Sequence, residues 1–587
     1  MSSRRKREFS LRENEIFEVL VADNSDDEDA LVLDEEDQQF LAQHIDAGLS
    51  IVEIEPSSSH TVDENVQDVE ESQGQQQRVK ARTGLTPSFN WRKNSYDPYH
   101  FHEQEGYKHG EIMISTDFTP LKIFDAEAKF DLLLDEIIIP ESERYALQNG
   151  RPFALTSAEA KAFLGMNYVM GYHILPTFRS YWSSDPDMGV PVIANVMPLN
   201  RFEEIRRNLH FSDNTNEPSR SQSSYDRAYK IRPVLDHFND SFQNAMTNTK
   251  TQAIDEHMIK FKGHNIMKQY VKNKPVKWGF KMWCRCDSRT GYLFQFDLYT
   301  GKKQGVAEIG LGESVVLQLC NDLQNLGCEI YFDNFFNSPN LQHKLANMNI
   351  RSCGTVRSNR KNIPKNLPAD KMMKRGQIYA TSSQGISFIK WMDNKAVFML
   401  TNFLSPITTT TVKRRMHGSG EKINVTCPDV VVKYNKNMGG VDLMDQRKVC
   451  YEVDRKAKIK YYLRLFFDLL DIAMNNAYII YSKLHDDKLV EGTLLSCLKF
   501  RQVISRSLIA DFSSRQRTLP STVMTNKRIG NLQKRGTPSH IMVKTNIRKR
   551  CVQCAKSRVE NRTNNTCSTC NVHLCFTSER NCFQDYH

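Results

Sequence analysis

The chain has 587 residues, 40% of them hydrophobic, and a formal net charge of +10. That length predicts roughly three to five domains. No apolar run approaches the ~20 residues of a membrane span, and the Arg4-Arg5-Lys6-Arg7 start turns acidic, without the apolar stretch of a secretory signal.

Residues 11–75 hold 20 acids and one base, Arg12. The rest of the chain is therefore strongly basic, which suits a polyanionic partner such as nucleic acid. Low aromatic content and the acidic runs predict disorder for residues 1 to about 85. Ser25, ahead of four acids, fits an acidophilic kinase site or simply a solvated tail. From about 118 to 250 apolar residues recur at spacings of three and four, predicting helices. Near 251 the texture changes. Ala253-Ile254 leads into Asp255, and two aromatic-rich runs (277–286 and 292–299) flank a turn at 287–291, predicting a hairpin. A helix is predicted over 315–326, then a short strand ending on Asp333. The core is thus α/β. Residues 358–420 read as an irregular basic insertion. Helical periodicity returns over 441–485, and residues 501–550 carry 12 bases and one acid.

Three segments present aspartates where catalytic acids tend to sit. Asp255 follows a strand-like dipeptide, Asp333 ends a hydrophobic run, and Asp442 and Asp445 share one helix face. Converging carboxylates repel, and hard divalent cations such as Mg²⁺ or Mn²⁺ relieve that repulsion. A pair of metals can serve both oxygens of phosphoryl transfer. Each aspartate taken singly also fits a cap or turn.

The blocks AIDEHMIKFKG (253–263), YFDNFF (331–336) and YNKNMGGVDLMDQ (434–446) resemble the catalytic blocks of piggyBac transposases, in order and in spacing. NRKNIPKNLP (359–368) and IRPVLDHFN (231–239) also resemble that family. The resemblance implies an RNase H-like core over 251–357 and 421–451, interrupted by an insertion domain at 358–420. It implies a split helical dimerisation and DNA-binding domain over 118–250 and 452–520. Residues 1–117 then form a largely disordered acidic region and 521–547 a basic linker. The implied acid triad is Asp255, Asp333 and Asp442, with Asp445 assisting. The implied reaction is metal-dependent cut-and-paste transposition of double-stranded DNA at TTAA through hairpin intermediates, by a nuclear homodimer. A domesticated DNA-binding relative without that chemistry is the alternative. Family members often carry a tryptophan after the basic stretch that follows the last acid. Here Arg455, Lys456 and Lys460 are followed by Tyr461 and Tyr462, which could stack on a base or simply pack a helix.

Of 14 cysteines, six lie in the last 37 residues. Cys551 and Cys554, then Cys567 and Cys570, form two CxxC pairs, followed by Cys575, Cys582 and His587. This spacing predicts zinc, and the ligand count predicts two ions in a cross-brace whose pairing is open. His573 fits a ligand or a surface residue. The tail (548–587) resembles the family's cysteine-rich domain, which implies binding to terminal repeats. A RING- or PHD-like module is the competing reading. The basic approach ending in Arg548-Lys549-Arg550 favours DNA and, like Arg4–Arg7, supplies a candidate nuclear signal.

Overall fold

The computed structural model describes residues 87–93, 96–272, 274–301, 310–416, 421–453, 460–514, 540, 542–577 and 580–587. Most of the acidic region, Ser25, Arg4–Arg7, Arg455, Lys456 and most of the basic linker lie outside the described residues. The chain divides into two units, Met1–Ser513 and Ser514–His587.

The larger unit opens with helices α1 (Pro120–Ala128), α2 (Ser157–Tyr172), α3 (Leu199–Asn208) and α4 (Arg232–Ala245). Their starts follow from local chemistry. The Thr156 side chain caps α2 by accepting from the Glu159 N–H. Proline opens α1 and α4, where its missing N–H would have had no helical partner.

Strands β1 (Thr251–Lys260), β2 (Gln269–Tyr270), β3 (Trp278–Asp287) and β4 (Leu293–Leu298) follow. Next come α5 (Leu311–Leu319), β5 (Glu329–Phe332), α6 (Pro339–Asn347) and β6 (Arg351–Thr355). The predicted helix at 315–326 thus lies earlier, ending before Cys320. Residues 358–420, expected to be irregular, hold β7 (Ile378–Ser383), β8 (Ile386–Met392), β9 (Ala396–Thr401) and β10 (Thr409–Arg415). The missed signal was Gln384-Gly385, both at positive φ, a two-residue hairpin turn between β7 and β8. Strand β8 is buried throughout yet carries Lys390, whose ammonium donates to Pro368 O and Asp370, so its sequence shows no clean alternation. After β11 (Lys422–Pro428) come α7 (Asp429–Asn437), α8 (Gly440–Val449), α9 (Tyr461–Asp486) and α10 (Cys497–Ile509).

The main sheet runs β2-β3-β1-β5-β6-β9-β8-β7, with β4 also paired to β3. Strand β3 is antiparallel to β1 and β4. Strands β1, β5 and β6 are mutually parallel, and β9, β8 and β7 continue antiparallel. Alternation along β3 divides its side chains between two layers. Phe280, Met282, Cys284 and Cys286 enter a core shared with α1, α2, α4, α9 and α10. Trp283 faces the opposite layer, with Val316 and Leu319 of α5 and Leu341 and Leu345 of α6. Strand β5 is covered on both faces: Ile330 and Phe332 join the α5–α6 layer, and Tyr331 meets Ile389 and Trp391. That is why Ile330, Tyr331 and Phe332 follow one another without polar alternation.

Candidate active site and metal-binding tail

The acids are placed by backbone register. In the parallel pair β1–β5, Ile254 lies opposite Phe332. Asp255, midway along β1, and Asp333, just past the end of β5, are the next residues on each strand, so the parallel register sets them side by side. The Glu256 N–H donates to Asp255 Oδ1 at 2.8 Å, and the Phe335 N–H to Asp333 Oδ1 at 2.8 Å. Burial pushes the Asp255 carboxyl up to about 6. Lys274 and the Glu256 N–H oppose that rise, and nearby Asp333 adds to it. Burial also raises Asp333, aided by Glu256 and opposed by the Phe335 N–H, Arg357 and Lys274.

The third segment arrives on α8. A Cβ on Gly440 would lie 2.7 Å from Asp287 O and 3.3 Å from Ala253 Cβ. Only glycine lets the helix start this close to β1 and the β3–β4 turn. That turn reciprocates with Gly291, at φ +74°, whose Cβ would lie 2.9 Å from Met444 N. Val441, Met444 and Lys448 face inward. Asp442, exposed in the first turn, lies where the helix dipole favours a carboxylate.

Asp445, one turn on, has a partner of its own. Its Oδ1 lies 2.5 Å from Nδ1 of the buried His257 on β1, and His257 Nε2 lies 2.9 Å from Asp468 of α9. Lys448 completes the chain by pairing with Asp468. Burial opposes charge on His257, but Asp445 and Asp468 outweigh it and hold the imidazole up to about 9. The four acids are therefore not equivalent.

Lys274, on the turn between β2 and β3, faces this cluster. Its Nζ lies 3.7 Å from Glu256 Oε1 and donates to Glu256 O at 3.3 Å. Burial works against its charge, yet Asp255, Glu256, Asp442 and Asp445 outweigh it and raise its pKa. Lys281 takes the other Glu256 oxygen at 2.5 Å. Among the described residues the acids do not bring three ligand oxygens within 4.8 Å of one another. Neither His257 nor Lys274 stood out in the sequence, although both lie within or next to the first acid block.

Tyr462 is buried, its hydroxyl 3.1 Å from His210 Nδ1. Tyr461 is partly buried, its ring 6.2 Å from Phe280. Both pack the start of α9.

In the smaller unit β12 (Met542–Arg550) pairs with β13 (Arg562–Cys567), so a strand begins inside the expected linker. Arg548, Lys549 and Arg550 lie exposed on β12. Two ligand clusters form, each with its donor atoms within 4.8 Å: Cys551, Cys554, Cys575 and Cys582; and His540, Cys567, Cys570 and His587. Cys554 Sγ lies 3.9 Å from Cys575 Sγ and 3.5 Å from Cys582 Sγ. Those separations are too long for disulfides and match the roughly 3.8 Å between sulfurs set tetrahedrally about 2.3 Å from zinc. The first CxxC thus groups with the last two cysteines and the second with two histidines. His540 was missed because it precedes the first cysteine of the tail by eleven residues and sits in a basic run. His573 joins neither cluster. It is buried, with Nδ1 3.0 Å from Thr563 O and 3.1 Å from Thr566 Oγ1.

Comparison with known proteins agrees with this architecture. The sequence model of a family described as Transposase IS4 matches residues 126–478. PiggyBac transposable element-derived protein 3 of Homo sapiens is 29% identical over 485 residues, covering 80% of this chain and 76% of its own. PiggyBac transposable element-derived protein 2 of Homo sapiens is 29% identical over 488 residues, covering 81% and 77%. The fold is similar to that of the piggyBac transposase solved by cryo-EM as a synaptic complex with hairpin DNA, at a TM-score of 0.60 and 23% identity, covering 80% of this chain and 98% of that one. With the family model matching more than half of its length, and with its acid blocks and ligand clusters set as described, the chain belongs to the piggyBac transposase family.

Proposed function

We propose that this chain is a DNA transposase that cuts and rejoins strands at Asp255, Asp333 and Asp442, excising an element and inserting it at TTAA through hairpin intermediates. The observation that carries the reading is the adjacency of Asp255, midway along β1, and Asp333, just past the end of parallel β5, with α8 seated against β1 through Gly440. The order β4-β3-β1-β5-β6, antiparallel across the first three strands and parallel across the rest, supports an RNase H-like core. On the same reading, 118–250 and 452–520 form the dimerisation and DNA-binding domain, and 358–420 is inserted into the core.

The acids fit Mg²⁺ or Mn²⁺: they offer hard oxygens, and the β1–β5 register sets Asp255 beside Asp333. Asp255, Asp333 and Asp442 would hold it. When bound, such a metal polarises the scissile phosphate and stabilises the leaving oxygen. The protein's own part is orientation. The Glu256 and Phe335 N–H groups fix one oxygen each of Asp255 and Asp333. His257 holds Asp445, which makes Asp445 an assisting rather than an equal acid. Lys274 supplies counter-charge until substrate and cation arrive.

The two tail clusters fit one zinc ion each, and zinc there stabilises the fold of a short polar unit. Exposed Arg548, Lys549 and Arg550 would bind the terminal-repeat backbone. A nuclear homodimer completes the proposal. The alternative, a domesticated DNA-binding protein without strand chemistry, leaves the intact acid arrangement without a role. The test is excision of a plasmid-borne element with its own ends. Asp333→Ala and Asp255→Ala are expected to reduce excision to background, and wild-type rates in either variant would sink the assignment.

A further inference from the structure

The edge of the sheet at β2 presents two large aromatic side chains to solvent. Tyr270 is 44% exposed and Trp278 is 49% exposed. They are directly paired across the β2–β3 ladder, with ring centroids 4.7 Å apart at 45°. Neighbouring exposed aromatics are costly to leave in water, and nothing in the packing of this edge requires them.

Their surroundings are cationic. Six lysines (260, 262, 268, 272, 274 and 277) and no acid lie between residues 257 and 280. Lys260, Lys262, Lys272 and Lys277 are exposed, and Lys268 Nζ stands 5.0 Å over the Trp278 ring. The turn joining β2 to β3 is closed by Val271 N–H donating to Lys277 O at 2.8 Å. From that turn Lys274 reaches Glu256, the neighbour of Asp255. The aromatic pair and the acid cluster are thus connected through one short turn.

We infer that Tyr270 and Trp278 form a stacking platform for an unpaired nucleotide of the DNA being processed, with the surrounding lysines neutralising the flanking phosphates. Charge selects the partner class: a lysine-rich, acid-free edge suits a phosphate backbone rather than a typical protein surface. The rings select the state of the DNA. Bases inside a duplex are already stacked on each other, so a protein ring gains most from a base that is unpaired or at an end. The platform depends on the transposase reading for its supply of such bases, since strand cutting beside the acids exposes them.

The test uses full-length protein and fluorescence anisotropy with two labelled DNAs of one sequence, a blunt duplex and the same duplex with an unpaired 3′ overhang. Trp278→Ala is expected to weaken overhang binding about tenfold while changing blunt-duplex binding less than about twofold, and Tyr270→Ala to act in the same direction. Trp278→Phe keeps a ring and is expected to retain most of the overhang preference. Thermal melting of each variant distinguishes lost contact from lost fold. Equal loss on both DNAs, or no loss on either, overturns the platform. Asp333-dependent excision reports separately on the transposase reading, so an active enzyme with an indifferent Trp278 would refute this inference alone.

Discussion

The two glycines that open the third acid block offer a matched pair. Gly440→Ala would place a methyl 2.7 Å from Asp287 O and 3.3 Å from Ala253 Cβ. A comfortable contact with that backbone oxygen needs about half an ångström more, and a β-turn carbonyl yields less readily than a side chain. Helix α8 is therefore expected to retreat by roughly 0.5 Å, carrying Asp442 with it. Catalytic groups tolerate displacements of about that size and no more, and a misplacement of about 1 Å can cost about 100-fold. The expected loss in excision rate is thus roughly 10- to 100-fold. The stability change is expected to be small, because overpacking of about 1–3 kcal/mol is partly offset by the ~1 kcal/mol helix preference of alanine over glycine. Gly439→Ala is the control. Gly439 sits at φ −78°, and its Cβ would meet nothing within 4 Å, so excision and melting are expected to stay at wild-type levels. Single-turnover excision beside a melting curve decides the matter. A Gly440→Ala enzyme as fast as wild type, or equal losses in both variants, would refute the placement of α8.

Three further outcomes can be checked on purified protein. Glu127 is fully buried, neither carboxylate oxygen has a hydrogen-bond partner, and burial raises its pKa well above the usual range. Neighbouring Asn476, which also pairs with the Leu293 backbone, opposes that rise without overcoming it. Since the folded pKa lies above the unfolded one, the native state loses stability as pH climbs past the ordinary Glu value, by up to about 1.4 kcal/mol per unit. Glu127→Gln should therefore raise urea stability more at pH 8 than at pH 5, and a pH-independent difference would contradict this. Zinc measured by mass spectrometry should fall from two per chain to one in His540→Ala and stay at two in His573→Ala; the reverse pattern would reassign the second cluster. His257→Ala leaves the buried Asp468 and the one-third-exposed Asp445 without their shared partner, and a cost of about 2–3 kcal/mol, most of it at Asp468, is expected in urea unfolding. A cost under about 1 kcal/mol would show that Lys448 alone balances both acids.

What the sequence made legible was what short range determines. The hairpin of β3 and β4 was readable because aromatic and aliphatic residues flank a turn whose Gly291 takes positive φ. Strand β5 was readable because burial on both faces leaves a continuous apolar run ending at Asp333. The zinc-type tail was readable because two CxxC pairs carry their own spacing. The misses are long-range. Strands β7 to β9 were hidden because β8 buries Ser387 and Lys390, and the partner of Lys390 lies 20 residues away. His540 was hidden because its co-ligands Cys567, Cys570 and His587 come together only on folding. Lys274 carries no sequence signal of its own, and only the return of the turn toward Glu256 gives it a role.

The same distinction separates the acids. Asp255 and Asp333 are equivalent in the sequence and in the fold, because parallel register sets them side by side. Asp442 and Asp445 share one helix face, and the sequence treats them alike. Their environments do not. Asp442 is exposed in the first turn of α8, whereas Asp445 is tied through His257 to Asp468, and Asp468 to Lys448. The buried Asp468, His257 and Lys448 and the partly exposed Asp445 cost desolvation that a well-packed apolar cluster would avoid. What the apolar cluster would lack is direction. His257 comes from β1, Asp445 and Lys448 from α8, and Asp468 from α9, so this chain of pairs fixes the rotation of α8 against the strand that carries Asp255. Asp445 Oδ1 lies 2.5 Å from His257 Nδ1 on β1, a contact that ties α8 to the strand bearing Asp255. The stronger claim of Asp445 is to hold the helix that presents Asp442.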